Sequence, residues 1–270
     1  MAFRLAILCC ITVWLILGGS SAHAQDFTVV TETYDLNAQK VIGRSRSIFH
    51  AGEVYDHVMG LGEITKFQPA LEQFTIFSES PKLATTITFK EIMEKQREFD
   101  KQIQSYIAVL RKRGGVETLR KAGELEFQLQ PVFQKQSDEK RHMLTMASEY
   151  YTYTVETESD VKPQVVDVYL RYADWTKRFN GLLDDRAIFP APRLVVNQEL
   201  RDRKVMPVSV TLKQHTPSGI HYQARHLIRW KLTDPDRAAV LSWSKLLNSE
   251  EIKWVSFNEF QAAVRPNGGN

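Results

Sequence analysis

Of the 270 residues only two are cysteines, Cys9 and Cys10, and both lie within the first ten positions. The chain beyond them therefore has no disulfide, no thiolate nucleophile and no cysteine-ligated zinc or iron–sulfur site. Net charge is also scarce: 35 Lys and Arg against 32 Asp and Glu leave +3. That balance excludes a strongly basic nucleic-acid coat and an acidic tail protein. There is no low-complexity tract and no repeat of fixed period. The sequence has no G-x-S-x-G, no H-E-x-x-H, no phosphate loop and no dinucleotide fingerprint. No catalytic residue, metal ligand or cofactor is assigned on that basis. After Leu17 no apolar run is long enough to span a bilayer, so no transmembrane anchor is expected in the mature chain.

What is present begins with a targeting pattern. Arg4 is the single charge before Leu5–Leu17, a run of thirteen residues without a charge. Such a run rises only about 20 Å as a helix, against a hydrocarbon core of roughly 30 Å. Gly18 to Ser21 break it. Ala22 and Ala24 then place small residues at the two positions a signal peptidase inspects. Residues 1–24 read as a signal peptide cleaved after Ala24. The protein is expected to be exported, to the periplasm or outside the cell. Residues 25–264 are expected to form a single α+β domain, followed by a frayed tail, 265–270.

The first third of that domain has strand-like runs at Phe27–Tyr34, Val41–His50, Glu53–Met59, Glu63–Phe67, Leu71–Phe77 and Leu83–Phe89. Short turn signals separate them, which implies antiparallel hairpins, because parallel strands need long crossovers. The period then changes. Thr88 and Glu91 have the spacing of a capping box. A helical apolar stripe follows, with Arg111-Lys112-Arg113 at its negative end and Gly114 as its stop. A second helix is predicted from Val116 to Leu129, ended by Pro131. Residues 141–157 read as one long strand or a hairpin. Pro163 opens another amphipathic helix, with buried stripe Val165, Val168, Tyr169, Tyr172, Phe179 and Leu183 and an end frayed by Asn180-Gly181. A short helix is expected around Leu194–Arg203.

The best-defined hairpin joins Pro207–Thr216 to Ile220–Thr233. Matching apolar faces predicts that Thr216 pairs with Ile220 across the loop Pro217-Ser218-Gly219. Asp234-Pro235 is expected to cap a helix reaching Leu247, and Ile252–Phe257 to form a last strand before a helical turn near Phe260. The fold class is α+β, a curved antiparallel β-meander or incomplete barrel packed on amphipathic helices.

His50, Glu53, Asp56 and His57 gather two imidazoles and two carboxylates. The two histidines lie too far apart along the hairpin to share one ion, and the group reads as a solvated hairpin face. The predicted register makes His215 and His221 cross-strand neighbours, with no third ligand. His226 falls on the apolar face between Ala224 and Ile228 and reads as a core histidine. Asp184-Asp185 and Glu250-Glu251 are adjacent and do not face each other.

Ser45–Asp56 (SRSIFHAGEVYD), Glu63–Phe77 (EITKFQPALEQFTIF) and Leu83–Glu91 (LATTITFKE) resemble segments of an uncharacterised family of predicted secreted bacterial proteins. More distantly, the meander is similar to the incomplete barrel of periplasmic lipoprotein carriers. That likeness implies a curved sheet wrapped over helices that can shelter acyl chains. The present chain has no helix before its first strand and runs longer, and no functional residue is carried over. The expected function is non-catalytic binding of an apolar small molecule or lipid between sheet and helices, with Tyr151, Tyr153, Tyr222, His226 and Trp230 lining the pocket. Two alternatives remain: a structural or interaction module of the cell envelope, and a hydrolase with dispersed catalytic residues. Neither nucleic acid nor a specific protein partner is indicated.

Overall fold

The computed structural model describes residues 26–60, 62–183, 188–216 and 219–264. The proposed signal segment with Ala22 and Ala24, the Asp184-Asp185 pair, Pro217-Ser218 and the tail 265–270 lie outside the described residues.

Six strands form the expected meander: β1 (Phe27–Asp35), β2 (Lys40–His50), β3 (Glu53–Val58), β4 (Glu63–Gln68), β5 (Gln73–Glu79) and β6 (Lys82–Thr88). Each pairs antiparallel with the next. Between β2 and β3, Ala51 and Gly52 both have positive φ, 51° and 79°. This is the backbone of a two-residue hairpin whose twist matches that of its strands. β5 starts at Gln73 rather than Leu71, because Glu72 takes φ 51° in the turn and Leu71 is exposed.

Helix α1 (Phe89–Arg113) starts with the Thr88–Glu91 capping box and stops at Gly114, as its sequence predicts. It folds back on α2 (Val116–Leu129) around Ile107, Leu110, Ala122 and Leu125. Segment 141–157 is a hairpin, β8 (Met143–Ala147) and β9 (Tyr151–Glu158), with an additional edge strand, β7 (Gln134–Asp138). β7 was not predicted: all five of its residues are exposed, so it has no alternation to read. α3 (Pro163–Leu183) continues through Asn180-Gly181 without fraying there, and α4 is Pro190–Arg203.

β10 (Met206–Gln214) and β11 (His221–Arg229) form the last hairpin, but in a different register from the predicted one. Lys213 pairs with His221, and the Gln214 amide bonds the Ile220 carbonyl. The slip is two residues. It preserves which side chains share a face, and so the hydrophobic pattern could not reveal it. β11 then docks on β1. α5 (Asp234–Leu247), β12 (Lys253–Trp254) and α6 (Phe257–Val264) follow. The N-cap of α5 is Thr233, not Asp234, and Asp236 completes its capping box.

All twelve strands join one curved sheet in the order β12-β6-β5-β4-β3-β2-β1-β11-β10-β9-β8-β7. That linear order leaves it open. β12 runs parallel to β6, the one departure from antiparallel pairing among the described residues. Each face has its own core. On the inner face Phe27, Phe49, Val54, Phe67, Phe74 and Ile87 stand in one row across β1 to β6. α1, α3, α4 and α6 pack against that side. On the outer face Ile48, Tyr55, Ile64, Phe77 and Ala84 are covered by Val240 and Trp243 of α5. Asp236 joins α5 to this face: besides capping the helix it accepts from Thr28 Oγ1 of β1 at 3.2 Å and lies 3.5 Å from Arg46 of β2.

Candidate functional site

The inner face changes chemistry from one residue level to the next. Beside the row Phe27–Phe49–Val54 stands Val29–Ser47–Asp56, and beyond that Thr31–Ser45–Val58. α3 lies over all three levels. Its Tyr169 and Tyr172 rings meet Phe49, with centroids 6.2 Å and 5.4 Å away. Two hollows between sheet and helix share these aromatic rings as neighbours.

The first is a cavity of about 710 Å³. Phe27, Phe49, Val54 and Phe67 line it from the sheet, and Val165 and Val168 from the start of α3. Lys162, Gln164 and Arg171 also line it from the helix side, and His50 and Glu53 from the β2–β3 hairpin. Val168, expected to be buried, is 47% exposed. It covers the hollow instead of filling a core position.

The second hollow, about 380 Å³, lies between β1–β3, the later turns of α3 and Arg193 of α4. Asp56 sits here, among inner-face groups and not on a solvated hairpin face. Ser47 donates to it at 2.6 Å, and the Ser47 and Tyr172 hydroxyls are 3.4 Å apart. Burial raises the Asp56 pKa, only partly offset by bonds from Ser47 and Tyr172, since desolvation penalises the charged form. Lys177 donates to the Ile188 carbonyl at 2.9 Å. Desolvation, with a further push from Arg193, brings its pKa down to about 8. His226 lies behind this hollow. Its Nδ1 is 2.9 Å from Thr31 Oγ1 and its Nε2 is 3.4 Å from the Tyr169 hydroxyl. Desolvation, and then Arg193, lower its pKa to about 4, so the imidazole is neutral near pH 7.

The residues expected to line one pocket are not brought together. Tyr151 and Tyr153 are buried in the layer beneath α2. Tyr151 donates its hydroxyl to Glu124 at 2.8 Å, while burial pushes Tyr153 up to about 12. Tyr222 stands opposite Leu212 and Asp35, at the far end of β11. Trp230 packs 5.8 Å from Phe27. Of the five, His226 alone is hydrogen-bonded to residues that line the second hollow.

The other histidine groups are dispersed as well. His50 pairs with Asp26 at 2.9 Å. His57 points to the outer face, 5.6 Å from Trp243, opposite in direction to Asp56. The predicted His215–His221 pair does not form. His215 bonds Thr152 and the Glu149 carbonyl, while His221 faces Lys213. Glu251 pairs with Lys82. A serine and a carboxylate do meet, at Ser47 and Asp56. Among the described residues, however, no histidine is hydrogen-bonded to Ser47.

Sequence reasoning missed Ser47, Lys177 and Arg193, and it read Asp56 as part of a solvated hairpin face. The available signal for Ser47 was positional: polar side chains occupy paired inner-face positions on adjacent strands, Ser47 with Asp56 and Thr31 with Ser45.

No family model matches the chain, and no curated protein matches it. Among solved structures, one described as "Structure of PNGF-II in C2 space group" aligns with 89% of this chain at 7% identity and a TM-score of 0.36. The alignment spans 33% of that longer chain. A likeness at this level carries no argument about fold or function.

Proposed function

We propose that this is an exported, non-catalytic binding protein that holds an apolar or lipid-like ligand between the sheet and α3. The observation that carries this reading is the hollow of about 710 Å³ lined by Phe27, Phe49, Val54, Phe67, Val165 and Val168. Its size falls within the range of small-molecule sites, and its wall is mainly apolar with a few charged side chains of both signs, Glu53, Lys162 and Arg171. The separation of Ser47 from every described histidine favours binding over hydrolysis. Export rests on the charge, length and small-residue pattern of residues 1–24.

Native mass spectrometry of protein purified from its own host tests the reading, with N-terminal sequencing to test cleavage after Ala24. A lipid-sized adduct is expected. A fluorescent fatty acid should bind the wild type, and Val168→Trp should weaken it at least about tenfold by filling the hollow. Because Val168 is half exposed, that variant should lose no more than about 0.5 kcal/mol of stability. A bare chain mass together with probe binding indifferent to Val168→Trp would sink the proposal.

The structural-module alternative has one observation in its favour. The α1–α2 region exposes Tyr106, Val109, Val116, Leu119 and Val132. Tyr106 and Val109 precede the Arg111-Lys112-Arg113 segment in the chain and Val116 and Leu119 follow it, and exposed apolar groups that cluster mark interaction surfaces.

A further inference from the structure

We propose that the second hollow, between β1–β3 and the later turns of α3, binds a small oxyanion through Arg193 and Lys177. The class covers a phosphate, a sulfate or the charged head of a phospholipid-like amphiphile.

The first ground is the uneven charge of the lining. Three cations reach this hollow, Arg44 from β2, Lys177 from α3 and Arg193 from α4. Arg44 is matched by Glu32 at 2.8 Å. Among the described residues, Lys177 and Arg193 form no ion pair, and their bonds go to the Ile188 carbonyl and the Asn197 amide oxygen. The carboxyl in the lining, Asp56, is driven toward its neutral form by burial. Two cations from separate helices therefore face the hollow without an ion-pair partner among the described residues. Bringing one in would relieve the repulsion between them.

The second ground is preorganisation. The Nε of Arg193 donates to Asn197 Oδ1 at 2.8 Å. Asn197, fully buried, donates in turn to Asp174 at 2.7 Å, and Asp174 is held from its other oxygen by Arg201 at 2.8 Å. This relay fixes the guanidinium plane through Nε and leaves its two Nη groups for a ligand. A planar fork beside a compact ammonium is a donor set suited to carboxylate and phosphate oxygens. The charge of Arg193 is felt at Lys177, His226 and Tyr169, which places it among the groups of the hollow. His226 is neutral above about pH 4 and adds no charge.

The third ground is pH. Lys177 loses its proton as pH rises through about 8, so affinity for an anion should fall in that range. Asp56, charging as pH rises, acts in the same direction.

Calorimetric titration of the whole chain decides the matter. Inorganic sulfate serves as the probe for pH, since its charge is constant between about pH 6.5 and 9. Inorganic phosphate and a soluble lysophosphatidate distinguish a free anion from a lipid head. The expected result is one site, weakened at least about tenfold by either Arg193→Gln or Lys177→Met, and weaker at about pH 9 than at about pH 6.5. Circular dichroism confirms that each variant folds, and if Arg193→Gln does not, Lys177→Met carries the test alone. Binding of lysophosphatidate without phosphate or sulfate, lost in these variants, assigns the site to a lipid head. Val168→Trp should leave sulfate binding unchanged, which separates this site from the apolar hollow. Absence of binding by all three anions, or binding that both folded variants retain, overturns the proposal.

Discussion

Along β1, β2 and β3 the same sheet face presents Phe27, Phe49 and Val54 at one level, and Val29, Ser47 and Asp56 at the next. One helix covers both. The apolar level gains from leaving water, roughly 25 cal/mol for each Å² buried. The polar level forgoes much of that gain and must satisfy each buried group individually. Ser47 and Tyr172 do so for Asp56, and Thr31 and Tyr169 for His226. A carboxyl at this depth without a cation partner adds nothing to stability that a leucine would not. The contrast locates where packing sets the residue types and where something other than packing does.

Breaking the apolar level should have the largest effect. Phe49 is stacked on Phe27 at 4.0 Å and is almost fully buried. Phe49→Ala should cost about 3–5 kcal/mol in chemical denaturation. At the polar level the effect should depend on pH. The folded pKa of His226, about 4, lies below its ordinary value of 6.5, so the unfolded chain binds the proton first. Its contribution is therefore complete above pH 6.5 and is lost as pH falls toward 4, by up to about 3 kcal/mol. His226→Gln should flatten that part of the stability curve, and an unchanged slope would contradict the burial of its neutral form. The smallest effect is expected for Tyr172→Phe, which keeps the ring against Phe49 and removes only the hydroxyl. It should cost about 1 kcal/mol. It should also move the Asp56 titration further up, because the lost bond favours the carboxylate. A titration that moves down instead would remove Tyr172 from the support of Asp56.

The same contrast explains what could be read before the structure. The meander was legible because turn residues at short spacing bound β1 to β6. α1 was legible because Thr88, Glu91 and Gly114 mark its limits by local chemistry. The β10–β11 register was not, since a shift of two residues leaves every face unchanged. β7 was not, because Gln134–Asp138 has no buried side to imprint a period. The polar hollow depends on meetings over long sequence separations: Ser47 with Tyr172, and Thr31 with His226. In one dimension Ser45, Ser47 and Asp56 look like a solvent-facing stripe. Only the position of α3 turns that stripe inward.

Asp236 has a consequence of its own. The carboxylate that closes the first turn of α5 also receives Thr28 and faces Arg46. The helix therefore completes its N-terminus with the sheet already beneath it, and β1 and β2 complete their outer bonds with the helix in place. Neither event is finished without the other. Starting α5 and docking it should thus be one cooperative step, and amides in its first turn should exchange hydrogen with those of β1 and β2 as a single unit.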